Sequence, residues 1–100
     1  MPDLSVVLDK KVKQATKEPK QWKVIMLNDD HTPMEFVVGL LTEIFRHTPE
    51  SAAKVMLQVH NEGSGVAGVY TFEVAEVKSV DATTAARANG FPLQIKMEEE

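Results

Sequence analysis

The apolar run Trp22-Lys23-Val24-Ile25-Met26-Leu27 is cut off by Asn28-Asp29-Asp30-His31, and Thr32-Pro33-Met34-Glu35 follows at once. No other stretch restricts the fold as tightly. A strand with one face more buried than the other must pass through a polar loop and turn straight into a helix. Thr32 suits the N-cap, Pro33 the first helical position, and Glu35 the position a capping box requires.

Behind that start, Val37, Leu40, Leu41 and Ile44 keep helical spacing. Thr48-Pro49-Glu50 opens a second helix with Ala52, Val55, Met56 and Val59 on one face, and Gly63 suits its C-cap. Val66 to Val77 reads as one long β-run containing Gly68, in which Tyr70, Phe72 and Val74 alternate with Thr71, Glu73 and Ala75. Ser79 and Asp81 then open a third, alanine-rich helix that stops at Asn89-Gly90. Leu93 to Met97 is the last strand, with Glu98-Glu99-Glu100 fraying into solvent. The order β-α-α-β-α-β predicts an α+β fold, a three-stranded antiparallel sheet packed on three helices that share one face.

A chain of 100 residues, 43% of them hydrophobic, suffices for one domain with one modest core. We assign residues 22–100 to that core domain and residues 1–21 to a flexible N-terminal extension. A short helix from Leu4 to Val12 is compatible with the extension but cannot bury a face alone. The extension carries five lysines against Asp3, Asp9 and Glu18, a charge of +2, and the rest of the chain carries −6. An acidic domain repels phosphate backbones and attracts cationic groups, so nucleic acid is not an expected partner. No apolar run is long enough to span a bilayer, and the absence of cysteine excludes thiolate metal sites and disulfides. A cytoplasmic monomer without a cofactor is the expectation.

Three features carry chemistry. Asn28 and Asp29 offer acceptor oxygens, although turn formation alone accounts for such residues at a break. His60 shares or borders the apolar face of the second helix, where a lone histidine commonly serves packing. Met34 and Met56 lie on helix faces, where methionine fills cores but also lines surfaces that accept varied side chains. Taken together, they suggest a pocket for an α-ammonium, with Asn28, Asp29 and His60 as acceptors and the methionines beside the first side chain. A metal or hydrolytic site on Asn28, Asp29, Asp30, His31 and His60 is the rival from another class. The chain has no H-E-x-x-H, no complete EF-hand loop, no glycine-rich phosphate loop and no G-x-S-x-G, and a His–Asp pair has no convincing nucleophile here. A generic protein-interaction module without N-terminal selectivity is the other alternative.

Leu27-Asn28-Asp29-Asp30-His31-Thr32-Pro33-Met34-Glu35-Phe36-Val37 resembles the signature of the ClpS adaptor family. Met56-Leu57-Gln58-Val59-His60, Gly65-Val66-Ala67-Gly68-Val69-Tyr70-Thr71 and Glu73-Val74-Ala75-Glu76 continue the resemblance in order. It implies an adaptor, not an enzyme. Such a protein binds free N-terminal Leu, Phe, Tyr or Trp residues (N-degrons) of substrate proteins. It hands them to the N-terminal domain of ClpA, or ClpC in some lineages, the AAA+ unfoldase of the Clp protease. It further implies that Asn28, Asp29 and His60 hold the amine. Met34, Val37, Met56, Val59 and Leu93 would wall the side-chain pocket, Thr32 would stand at its rim, and Glu73 and Lys78 would face the unfoldase. His31 stands where Tyr is more usual and Ala67 where Cys is common; neither removes an ammonium acceptor.

Overall fold

The structure, a computed structural model, describes residues 20–100. Its elements are β1 (Gln21–Leu27), α1 (Met34–Glu43), α2 (Pro49–Glu62), β2 (Ser64–Thr71), α3 (Phe72–Ala88) and β3 (Gln94–Glu99). The extension and its possible Leu4–Val12 helix fall on residues 1–19, outside the described residues, and the first strand begins at Gln21.

The sheet order is β2-β1-β3 and both pairings are antiparallel. β1 is central because it is the most apolar strand: Val24 and Met26 are fully buried in the core. Val37, Leu40 and Leu41 of α1 join them, with Phe45 just beyond, Ala52 and Val59 of α2, and Ala75, Ala82 and Ala86 of α3. Each large apolar side chain so enclosed contributes about 1.5–3 kcal/mol. α3 buries only alanines, and these short side chains let it lie close over the sheet.

Two features seat α2. Thr48 caps it by accepting from the Ser51 N–H at 3.1 Å, and Gly63 ends it at φ 90°, a left-handed conformation that favours glycine. A Cβ at Gly65 would fall 2.8 Å from the Val59 Cγ2, so glycine there lets β2 pass against the helix. The β1–β2 register shifts between Val24 and Ile25, leaving Ala67 in a bulge. The Ala67 carbonyl accepts from His47 Nε2. That contact requires the proton on Nε2, so the neutral ring accepts at Nδ1 from the Ser51 hydroxyl, 2.6 Å away.

The structure corrects four local readings. Thr32 does not cap α1: Pro33 is the N-cap residue, no side chain caps the helix, and the Thr32 hydroxyl donates to Asp29 instead. The carboxylate three residues upstream wins because it is a charged acceptor. The β-run stops at Thr71 and α3 begins at Phe72, so Ser79 and Asp81 lie in mid-helix. The C-terminal glutamates do not fray: Glu98 pairs with Lys23, Glu99 with Trp22, and the Glu100 N–H donates to the Gln21 carbonyl at 2.9 Å. The final strand accordingly starts at Gln94, and Leu93, 1% exposed, plugs the core just before it.

Candidate functional site

β1 ends with Leu27 paired to Ser64 on one side and Gln94 on the other. The loop 28–31 therefore emerges at one end of the sheet, beside the Gly63 turn that closes α2. The Asn28 N–H donates to the Gly63 carbonyl at 2.9 Å, which ties this loop to the last turn of α2, where His60 sits.

Inside the loop, Asp29 organises the backbone. Its Oδ1 accepts from the N–H groups of His31 (2.8 Å) and Thr32 (2.7 Å), and its Oδ2 accepts from the Thr32 hydroxyl at 2.8 Å. Burial pushes the Asp29 carboxyl up. The Thr32 hydroxyl, the two backbone N–H groups and the charge of His31 outweigh it and hold the group below its ordinary value of 3.8. The side chain is thus an anion at neutral pH.

Asn28, Asp29, Asp30, Thr32, Pro33, Met34 and His60 line one cavity of about 350 Å³. The structure thereby brings together the three amine-site candidates, the rim residue Thr32 and Met34. His60 is exposed, not a packing residue, and neither its ring nor the Asn28 amide has a hydrogen-bond partner among the described residues. A carboxylate has about four acceptor positions. Three on Asp29 are taken, leaving one. The cavity therefore presents the Asn28 oxygen, the last Asp29 position and a His60 ring nitrogen as unused acceptors, beside the exposed carboxylate of Asp30, which is unpaired among the described residues. An –NH₃⁺ group has three donors.

Met34 is 46% exposed at the start of α1. The other apolar candidates, Val37, Met56, Val59 and Leu93, do not line this cavity. Val37 is one helical turn beyond Met34, Met56 one turn before His60, and Val59 beside it. Val37, Val59 and Leu93 are in the core and Met56 packs against it. His31 lies elsewhere: with Leu27, Asp30, Pro92 and Gln94 it lines a second cavity of about 420 Å³ across the loop. Sequence reasoning missed Arg87, whose Nη1 donates to the carbonyls of Phe91 (2.9 Å) and Leu93 (2.8 Å) and fixes the turn that delivers Leu93. Its one signal was a basic residue in a helix's last turn. Among the described residues, no three His, Asp or Glu side chains form a group that could hold a metal ion.

Glu73 and Lys78 share a separate hollow of about 550 Å³ with Glu43, Arg46, Val77 and Asp81. Lys78 is half-buried there. Its Nζ donates to the Ile44 carbonyl at 2.6 Å, at the end of α1, and lies 5.3 Å from the Tyr70 ring centre.

Residues 17–96 match the family model described as ATP-dependent Clp protease adaptor protein ClpS. The chain belongs to the ClpS family. It is 54% identical over 90 residues to the ATP-dependent Clp protease adapter protein ClpS of Maricaulis maris, spanning 90% of this chain and 83% of that one. The Deinococcus radiodurans ClpS is 49% identical over 85 residues, spanning 85% of this chain and 75% of that protein. Among solved structures, Agrobacterium tumefaciens ClpS2 bound to L-phenylalaninamide superposes with a TM-score of 0.79. It is 41% identical and covers 83% of this chain and all of that one. The ClpS relationship implies a Clp protease as partner and accounts for the β-α-α-β-α-β order. Among the described residues, no helix is long and apolar enough to cross a membrane.

Proposed function

We propose that this protein is a non-enzymatic adaptor that holds the free N-terminal Leu, Phe, Tyr or Trp of a substrate protein and passes it to a Clp unfoldase of the ClpA or ClpC type. The observation that carries this reading is the convergence of Asn28, Asp29, Met34 and His60 on one cavity in which Asn28, Asp29 and His60 each keep an unused acceptor. The ligand of the Agrobacterium relative supports it, since L-phenylalaninamide pairs a free α-ammonium with an aromatic side chain.

In this reading Asn28, Asp29 and His60 take one ammonium proton each. The first side chain enters between α1 and α2, past Met34 and Thr32, against Val37, Met56, Val59 and Leu93. Burying a Leu or Phe side chain contributes about 1.5–3 kcal/mol. Each charge-assisted hydrogen bond adds about 1.5–3 kcal/mol. Ordering the chain end takes part of this back. The balance corresponds to about micromolar binding, near −8 kcal/mol. That holds a terminus and still permits release. Glu73 and Lys78 then mark the face offered to the unfoldase's N-terminal domain.

The test is degradation of a folded reporter by purified Clp unfoldase and peptidase, with its first residue varied. The adaptor accelerates turnover of reporters beginning with Leu or Phe and leaves one beginning with Val or acetyl-Leu unchanged. Equal acceleration whatever the first residue overturns the reading.

A further inference from the structure

The outward face of α3 is unusual for a surface helix. Val77 is 58% exposed, Val80 57% and Val74 43%. These valines recur every three residues, so they form one stripe. Four acidic side chains flank it, Glu73, Glu76 and Asp81 on α3 and Glu43 of α1 across the hollow, and among the described residues they outnumber the one exposed cation there, Arg46. The nearest lysine, Lys78, is turned inward onto the Ile44 carbonyl. An apolar stripe with an acidic border calls for a partner that is apolar and basic together.

The chain itself contains such a segment. Leu4, Val7, Leu8 and Val12 stand at helical spacing, and residues 10–17 hold Lys10, Lys11, Lys13 and Lys17 with no acidic residue. A helix of that length cannot persist without a second surface to bury its face. The path is short. Gln21 pairs with Thr71, and α3 starts at the next residue, Phe72, so the chain before Gln21 leaves the sheet beside the N-terminus of α3. From Val74 to Val80 the stripe runs about 9 Å. Residues 13–19 alone span up to about 23 Å when extended.

We propose that residues 4–17 dock on the Val74–Val77–Val80 face of α3, the apolar residues against the valines and the lysines against Glu73, Glu76 and Asp81. Docking covers part of the hollow that holds Glu73 and Lys78. If the proposed adaptor role holds, the protein's own N-terminal segment therefore competes with the unfoldase for that hollow; this consequence rests on that role, whereas the docking does not.

The chain has no cysteine, so Ser5→Cys in the full-length protein carries a single nitroxide label. In its amide NMR spectrum, signals of residues 74–81 are lost, while those of Leu57 and Gln58 on α2 are retained. Val77→Asp with Val80→Asp, both at exposed positions, restores the lost signals, as does reversal of Lys10, Lys11 and Lys13 to Glu. A sample mixing labelled chain with separate isotope-enriched, unlabelled chain shows no loss. Broadening that only decays with distance from Lys20, or that survives both variants, overturns the proposal. So does broadening in the mixed sample, which would assign the face to a second copy. None of these readouts involves a Clp component or a peptide, so failure here leaves the N-terminal residue site untouched.

Discussion

The Asn28 N–H and the Gly63 carbonyl meet at 2.9 Å, joining the loop after β1 to the turn that ends α2. Through this bond one element contributes Asn28 and Asp29, and another, more than thirty residues later in the chain, contributes His60 to the same cavity. Neither the loop nor the helix holds all three acceptors by itself.

Gly63 is therefore a sensitive position. At φ 90° a Cβ is strained, and Gly63→Ala is expected to lower stability by about 1–2 kcal/mol. Urea unfolding followed by circular dichroism measures this. Because the turn also sets the separation of Asn28 from His60, affinity for a Phe-initiated peptide falls under conditions where the variant remains folded.

Asp29→Asn removes the anion and keeps an oxygen. The loss of one charged partner for the ammonium, about 1.5–3 kcal/mol, predicts roughly ten- to hundredfold weaker peptide binding by calorimetry at neutral pH. The same substitution tests the folded-state charge. The Asp29 pKa is depressed in the native protein, so the carboxylate contributes stability above its unfolded value. That contribution is lost as pH falls through the folded value. The stability gap between the native protein and Asp29→Asn is thus full at neutral pH, begins to narrow as the pH drops below 3.8, and closes below the lower, folded-state value. Urea midpoints across an acidic pH series measure the closure.

Much of this arrangement was legible in the sequence. Thr48-Pro49-Glu50 and Gly63 bracket α2 because a capping hydroxyl and a left-handed glycine are local signals, read without knowing the partner elements. The polar break at Asn28–His31 marks the loop for the same reason. The start of α3 was hidden because its buried face consists of Ala75, Ala82 and Ala86, while Val74, Val77 and Val80 point to solvent. Large residues on the wrong side of a helix mimic the continued alternation of a strand, and Thr71, its N-cap, makes no side-chain cap bond to mark the change. The pairing of Asp29 with Thr32 escaped notice because a capping box and an Asp-centred turn compete for the same hydroxyl. Only the fold shows which forms. Lys78 looked like a surface charge, since nothing local announces a hydrogen bond to a carbonyl 34 residues earlier.

That bond leads to a third expectation. Lys78→Met deletes the donor to the Ile44 carbonyl and the contact with Tyr70, and should cost about 1–3 kcal/mol of stability. Glu73→Gln, at an exposed position in the same hollow, should leave stability unchanged. Comparing the two by thermal unfolding separates the structural part of the Lys78 role from any part in docking a partner.

Met34 lines the cavity, and in the proposed function it rejects side chains that widen at Cβ. Met34→Ala is then expected to bind Val- and Ile-initiated peptides more tightly than the native protein does, with little change for Leu. Fluorescence anisotropy over a peptide series differing only in the first residue measures this. Unchanged preferences would remove Met34 from the gate.

The most direct measurement titrates one Phe-initiated peptide twice, with its amine free and with its amine acetylated. In the proposed function the acceptors of Asn28, Asp29 and His60 take the three donors of the charged amine, which acetylation removes. The free peptide should bind at about micromolar affinity and the acetylated one should be weaker by two orders of magnitude or more, about 2.7 kcal/mol. Equal binding of both forms would contradict the account.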